Sequence, residues 1–208
     1  MAEHRWVSAS AAQLVGGLPG ATTLAEFGRR FLSELMPIVG GGVAGFYVFD
    51  EPSARLKRVA SFGLVDGAAA ETFALGEGLA GQCGREGRMI ILSDLPPDYL
   101  RIESGLGKGQ PQQSVAVPFL AKESLLGVLQ IATFRPFGPR KHKLFDEVVP
   151  VVALQLEILQ RNLHTQNLLD QTQQQAHQLK AQREELIAQQ EELKTSEERL
   201  REIEQFYR

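Results

Sequence analysis

Glycine and proline divide this chain in two. All 20 glycines lie at or before Gly138, and the last proline is Pro150. From Val151 to Arg208 there is neither, and Gln, Glu, Leu, Lys and Arg dominate. Little in such a run interrupts a helix. At about 1.5 Å per residue the run predicts a helix of roughly 85 Å, whereas a domain of about 150 residues spans roughly 35 Å. The sequence therefore predicts an N-terminal helical segment over 1–20, a compact domain over 21–160 and a rod over 161–208.

The bulk properties exclude several roles. A net charge of −3 in 208 residues gives no electrostatic case for a nucleic-acid partner. The opening MAEHRWVSASAAQLVGG lacks the apolar run of a signal peptide, and no stretch approaches a membrane span. A single cysteine, Cys83, makes neither an internal disulfide nor a thiolate cluster. Together these predict a cytoplasmic protein without a membrane partner and without a metal site.

Within the compact part, Thr23-Leu24-Ala25-Glu26 has capping-box spacing. Leu24, Phe27, Phe31, Leu35 and Ile38 then recur at helical intervals until Gly40-Gly41-Gly42 ends the pattern. VAGFYVFD (43–50) and RLKRVASF (55–62) read as two strands of a hairpin joined at EPSA. MIILSD (89–94), SVAVPFL (114–120) and LLGVLQIATF (125–134) also read as strands, the last two forming a second hairpin around AKES. Both connections are too short for parallel crossovers. The expected class is mixed α/β (α+β): a central antiparallel sheet flanked by helices, with a long C-terminal helix.

The stretch GEGLAGQCGREG (76–87) tests for reactive chemistry. GEGLAG matches the letters of a dinucleotide loop, but no buried strand precedes it and no acidic residue closes a second parallel strand about twenty residues on. In GLGKGQ (105–110), Gly107-Lys108 is followed by glycine where a Walker loop needs Ser or Thr. Residues 79–85 instead predict a short helix framed by Gly76, Gly78 and Gly87. A catalytic thiol needs a histidine or a basic neighbour to lower its pKa. Arg85, two residues from Cys83, is off its helical face, and His4, His142, His164 and His177 are distant in sequence. The favoured reading of Cys83 is a small buried core residue, and no catalytic residue is assigned.

The order of these elements, with GEGLAGQCGREGRMIILSDLPPDYLRI followed by QSVAVPFLAKESLLGVLQIATFRPF, resembles the GAF family of sensory domains. It is most similar to the subgroup in bacterial multidomain sensor histidine kinases of two-component systems. The resemblance covers roughly 24–160. It implies a six-stranded antiparallel sheet and a ligand pocket between that sheet and the segment around 94–112. The pocket candidates are Phe46, Val48, Asp94, Tyr99, Arg101, Ile102, Ser114 and Gln130. Tyr99, Arg101 and Ile102 suit a pocket or a packed lid equally well.

Family members bind different groups, and the motifs for them fail here. Phe145-Asp146-Glu147 are adjacent, unlike the spaced cyclic-nucleotide signature. Gln112-Gln113-Ser114 stand where bilin-binding members carry a cysteine. Reducers of free methionine sulfoxide need more than one cysteine. His142, in the polar PRKHK, is unsuited to hold haem. No cofactor is expected, only an unidentified small-molecule ligand. The basic run Arg140-Lys141-His142-Lys143 could collect an anion, though a solvated face is the plainer reading.

In the tail, Leu179, Leu186, Leu193 and Leu200 recur every seven residues, as in a coiled-coil d seam. The a positions Ala176, Arg183, Gln190 and Glu197 are mostly polar. Upstream, Leu156, Leu159 and Leu163 suggest a seam out of phase with Leu169, Thr172 and Ala176. The expected partner is a second copy, a parallel homodimer along Leu156, Leu163, Leu169, Leu179, Leu186, Leu193 and Leu200. Trp6 and Leu14 are expected to pack beside the first turns of the helix, and Pro150 to mark a change in its packing. The tail also resembles linkers that lead to a PAS or kinase module, yet His164 and His177 lack a phospho-acceptor box. The expectation is a non-enzymatic input portion of a sensor histidine kinase. The alternatives are the same input on a diguanylate cyclase or chemoreceptor-like output, or a GAF-fold redox enzyme using Cys83.

Overall fold

The computed structural model describes residues 2–64, 70–104 and 107–206. It divides into two units, Met1–Arg161 and Asn162–Arg208. The first begins with α1 (Ala2–Gly16) and α2 (Leu24–Val39), followed by the hairpin β1 (Gly41–Asp50) and β2 (Arg55–Phe62). The short strand β3 (Thr72–Ala74) leads to α3 (Gly78–Glu86) and β4 (Ile90–Ser93). A small hairpin, β5 (Ile102–Ser104) and β6 (Gly107–Gly109), precedes β7 (Gln113–Ala121) and β8 (Ser124–Thr133). The last element, α4 (Pro139–Phe206), enters the second unit.

Local chemistry sets these boundaries. The Thr23 hydroxyl accepts the Glu26 amide at 3.1 Å, and Glu26 turns back to accept the Thr22 amide at 2.9 Å. Two orphan donors at the start of α2 are thereby satisfied. The Thr22 amide and hydroxyl, with Arg30 at 2.6 Å, hold the Glu26 carboxyl below its ordinary pKa. Gly40 ends α2 with a left-handed φ of 62°, its amide returning to the Met36 carbonyl, a conformation that costs glycine nothing. The β1–β2 turn is tied by Asp50, whose carboxylate accepts from the Ser53 amide at 3.2 Å and from the Lys57 ammonium at 2.8 Å. The Lys57 and Ser53 contacts lower its pKa.

The expected six-stranded antiparallel sheet is present, in the order β3-β2-β1-β8-β7-β4; β5 and β6 pair separately. β1 and β8 occupy the centre and are buried on both faces. On one face Ala44, Phe46 and Val48, beside Phe119 of β7, meet α2 and the start of α4 through Phe27, Phe31, Leu144 and Phe145. Phe46 lies 5.5–6.1 Å from three other rings in tilted or edge-on contact, the geometry the ring quadrupoles prefer. On the other face Tyr47, Leu56, Ala116 and Val128 pack on Ala80 and Cys83 of α3. Alternation along β1 assigns its odd and even residues to different layers.

Two sequence expectations change here. Phe46 and Val48 belong to the α2 layer, so they do not line a pocket between the sheet and residues 94–112; Tyr47, between them, faces that side. Leu156 is fully buried in the same core as Phe145 and Val152, so it is not available as a dimer seam residue. Leu163 is half-buried and Leu169 exposed. The out-of-phase upstream seam therefore rested on a residue that serves the core. The Leu200 side chain lies outside the described residues.

Trp6 and Leu14 do pack near the origin of α4. Leu14 is buried with Phe137 and Leu144, and the Arg140 guanidinium lies 3.9 Å over the Trp6 ring. Lys141 reaches the Phe137 ring at 5.5 Å. Burial, with Arg135 nearby, lowers the Lys141 pKa. Two cations of the basic run are thus placed against aromatic faces. α4 continues as helix through Pro150.

Candidate functional site

The α3-side face of the sheet carries the candidate ligand site, because it combines an apolar frame with a few inward polar groups. Its floor is the middle of β1, β8 and β7, where Gly45 pairs with Gln130 and Gln130 with Ala116. The Gln130 side-chain amide donates to the Ser114 hydroxyl at 3.3 Å. Ser114 is buried to 1% exposure, one of few buried polar residues among those described. Burying an amide and a hydroxyl costs free energy unless they are paired. A pair of this kind is a polar feature on an otherwise apolar floor.

Tyr47 bounds this floor. Its ring leans over Gly45, where a Cβ would come within 2.7 Å of the phenol oxygen. Gly45 is therefore the room in which Tyr47 lies flat on the sheet. Burial pushes the Tyr47 pKa up, and the neighbouring Arg58 offsets part of that shift. The phenol stays protonated at neutral pH, with the guanidinium of Arg58 within its reach on β2. Arg58 also lies 3.8 Å from Glu71.

The segment 94–112 is held on the sheet by Ile102. Its side chain, 7% exposed, packs with Val43 and Ala132. It fits over Gly42, where a Cβ would stand 2.3 Å from the Ile102 side chain. Ile102 is thus an anchor of the covering segment. Tyr99 and Arg101 are exposed, Arg101 standing 3.9 Å from Asp98. Asp94 adopts a left-handed φ of 55° at the end of β4. It lines an open cleft of about 530 Å³ with Ser93, Gln110, Gln112, Gln113 and Pro136. Gln113 fixes that cleft: its amide donates to Ser93 at 2.8 Å and its carbonyl accepts the Phe137 amide at 2.6 Å. Of the eight pocket candidates, Ser114, Gln130 and Ile102 share the α3-side face, Asp94 belongs to the neighbouring cleft, Tyr99 and Arg101 are on the surface, and Phe46 and Val48 are on the other face.

Sequence reasoning missed Tyr47, Gly45 and Arg58. Tyr47 is one residue from each of the two β1 residues chosen, and a shift of one residue exchanges faces; the uniformly apolar run carried no signal that distinguishes them.

Cys83 sits beneath this face with no exposed surface, and its thiol donates to the Arg88 carbonyl at 3.3 Å. Burial above all, then the Glu86 carboxylate, pushes its pKa up to about 12, against a smaller opposing effect of Arg88. A thiol so placed is a poor nucleophile at neutral pH. Among the described residues no cluster of three or more metal-ligating side chains occurs, and no helix is long and apolar enough to cross a membrane.

A curled antiparallel sheet with a helical layer on one face and a short helix and loop-rich cover on the other is the architecture of ligand-binding sensory and regulatory modules. The family model described as "GAF domain" matches residues 21–157. The chain belongs to the GAF domain family. Solved structures agree on the fold. The GAF domain of an Acinetobacter phosphoenolpyruvate-protein phosphotransferase is 15% identical, with a TM-score of 0.62 over 76% of this chain and 97% of that one. The corresponding domain from Coxiella burnetii is 19% identical, with a TM-score of 0.62 over 75% and 95%. A free methionine-R-sulfoxide reductase from Neisseria meningitidis, solved with its substrate, is 19% identical, with a TM-score of 0.60 over 75% and 91%. At these identities the likeness is one of fold. No protein in the curated comparison matches the chain.

Proposed function

We propose that this chain is the input and relay part of a cytoplasmic signalling protein. It takes a small polar molecule on the α3-side face of its GAF domain and passes the change through α4 to an output module, with a sensor histidine kinase as the reading that the linker-like tail favours. The observation that carries the proposal is the double use of α4. Its first turns, through Leu144, Phe145, Val148, Val152 and Leu156, are part of the domain's core. The same helix then continues with Leu179, Leu186 and Leu193 exposed at 59–66%. A seam of exposed leucines at heptad spacing is stable when it meets another such seam, here that of a second copy. A shift of the sheet on its helical layer is thereby tied to the seating of a dimer helix.

The test is native mass spectrometry and light scattering of gently purified full chain. A dimer carrying a non-covalent small-molecule adduct supports the proposal, and a ligand-free monomer contradicts it. Fusing the chain to a histidine kinase core, with the ligand added or withheld, reads the relay directly; an unchanged autophosphorylation rate would reject that output.

The fold likeness to methionine sulfoxide reductases raises a second reading, a redox enzyme. Reduction of a sulfoxide by a thiol needs an accessible sulfur and a second thiol to resolve the oxidised one. Cys83 is buried, its pKa is raised, and it is the chain's one cysteine. We therefore assign the chain no catalysis of its own.

A further inference from the structure

The open cleft at the end of β4 shares no lining residue with the α3-side floor. Its volume of about 530 Å³ falls within the roughly 300–1,000 Å³ of small-ligand clefts. Its walls are tied together from within. The Gln110 side-chain amide donates to the Leu95 carbonyl at 3.0 Å, and the Gln112 backbone amide donates to the Thr133 carbonyl at 2.8 Å. Gln113 bridges Ser93 and Phe137. Leu95, half-buried, and Pro111, buried, add an apolar strip.

Two side chains of the lining take no part in this wall. Among the described residues, neither the Asp94 carboxylate nor the Gln112 carboxamide has a hydrogen-bond or ion-pair partner, and both residues are exposed. Asp94 also holds a left-handed φ of 55°, a conformation that glycine adopts at least cost. A carboxylate thus stands where the backbone alone would favour none. No lining residue carries a positive charge. Arg135, next to Pro136 in sequence, is close to Lys141 at the root of α4 instead.

We propose that this cleft binds a small organic cation, a guanidinium group on a short alkyl body, with Asp94 as its charge partner and Gln112 as a second acceptor. A guanidinium presents planar N–H donors that match a carboxylate in pairs. The Gln112 carbonyl takes a remaining N–H, and Leu95 with Pro111 covers the alkyl chain. An anion is repelled by Asp94, and a neutral amide leaves that carboxylate without a charge partner. The cleft also bears on α4. Gln113, part of its wall, accepts the Phe137 amide, and Phe137 packs with Leu14, Leu144 and Phe145 where α4 begins. A ligand that draws Asp94 and Gln112 together acts on the strand ends that Gln113 ties to that helix. The cleft is a second input, whether or not the α3-side face takes a ligand.

Titration of the isotope-labelled full chain with n-butylguanidinium, followed by amide NMR, tests the proposal, with butyramide and butyrate as neutral and anionic probes of similar length. For the cation, saturable shifts are expected at the Asp94 backbone amide, the Gln112 side-chain amide and the Phe137 backbone amide; for butyrate, none. Asp94→Asn removes the charge but keeps a residue that tolerates the left-handed backbone, so the fold stays and affinity should fall roughly tenfold or more. Gln130→Leu should leave the titration unchanged, and a loss there would place the binding on the α3-side face instead. No response to any probe, equal responses to all three, or an affinity unaltered in Asp94→Asn would overturn the site. Saturation at Asp94 and Gln112 with Phe137 unmoved would overturn its link to α4.

Discussion

The two faces of the sheet are built from the same strands and differ in almost every other respect. The α2-side face is continuous and aromatic: Phe27, Phe31, Phe46 and Phe119 touch one another and are closed in by α4. The α3-side face is divided into smaller clusters around Cys83 and Ile102, with Tyr47, Ser114 and Gln130 set among them. One face has little room to change without loss of stability, because close-packed aromatics transmit any misfit. The other contains polar groups that need partners and a covering segment seated through few side chains. The difference separates a close-packed core from the candidate ligand face across one sheet, with α4 rooted in the core side.

Substitutions on the two faces should separate in that order. Phe46→Ala opens a cavity among three other rings and should lower unfolding stability by about 3–5 kcal/mol, read as a shift of the urea midpoint. Gly28→Ala comes next. Its Cβ would lie 2.7 Å from that of Ala60 and 3.1 Å from the Phe46 ring, so overpacking of roughly 1–3 kcal/mol should outweigh the gain of about 1 kcal/mol in helix propensity. On the other face Ser114→Ala removes one partner of a long hydrogen bond and should cost only about 0.5–1.5 kcal/mol. A loss for Ser114→Ala equal to that for Phe46→Ala would erase the distinction.

Alkaline pH sharpens the contrast from the α3 side. The Cys83 thiol has an ordinary pKa of 9.0 and is pushed up to about 12 in the fold. Above pH 9.0 the unfolded chain releases that proton while the native chain keeps it, so stability falls with rising pH until about 12 is passed. Tyr47, whose pKa is also raised, acts in the same direction from its ordinary value of 10.0 upward. Cys83→Ala should flatten the first part of that decline. In the native protein a thiol reagent at neutral pH should label Cys83 slowly, and in denaturant quickly; an equal rate in both would contradict its burial.

Much of the fold was legible in the sequence. The run at 55–62 is β2, the capping box starts α2 at Leu24, and the glycine-framed segment is α3. The sides of β1 were not legible, for a physical reason. Val43 to Val48 are buried without interruption, and a strand covered on both faces shows no polar–apolar alternation from which to assign them. Choosing Phe46 and Val48 over Tyr47 followed from that. β5 and β6 were missed because three-residue strands with two glycines in Gly107–Gly109 carry no periodic signal. Leu156 misled for a related reason: the first turns of α4 are apolar on two sides, and spacing alone does not say which side meets the domain. Ser114 and Gln130, named in the same candidate list, lie on the α3-side face beside Tyr47.

The central claim is that the α3-side face senses and the α2-side face supports. Native mass spectrometry of the full chain, with Gln130→Leu and Phe46→Leu prepared in parallel, tests it most directly. The account predicts a small-molecule adduct on the parent chain, retained by Phe46→Leu despite its lower stability and lost from Gln130→Leu while that variant stays folded. An adduct that survives Gln130→Leu, or a parent chain that carries none, would contradict the account.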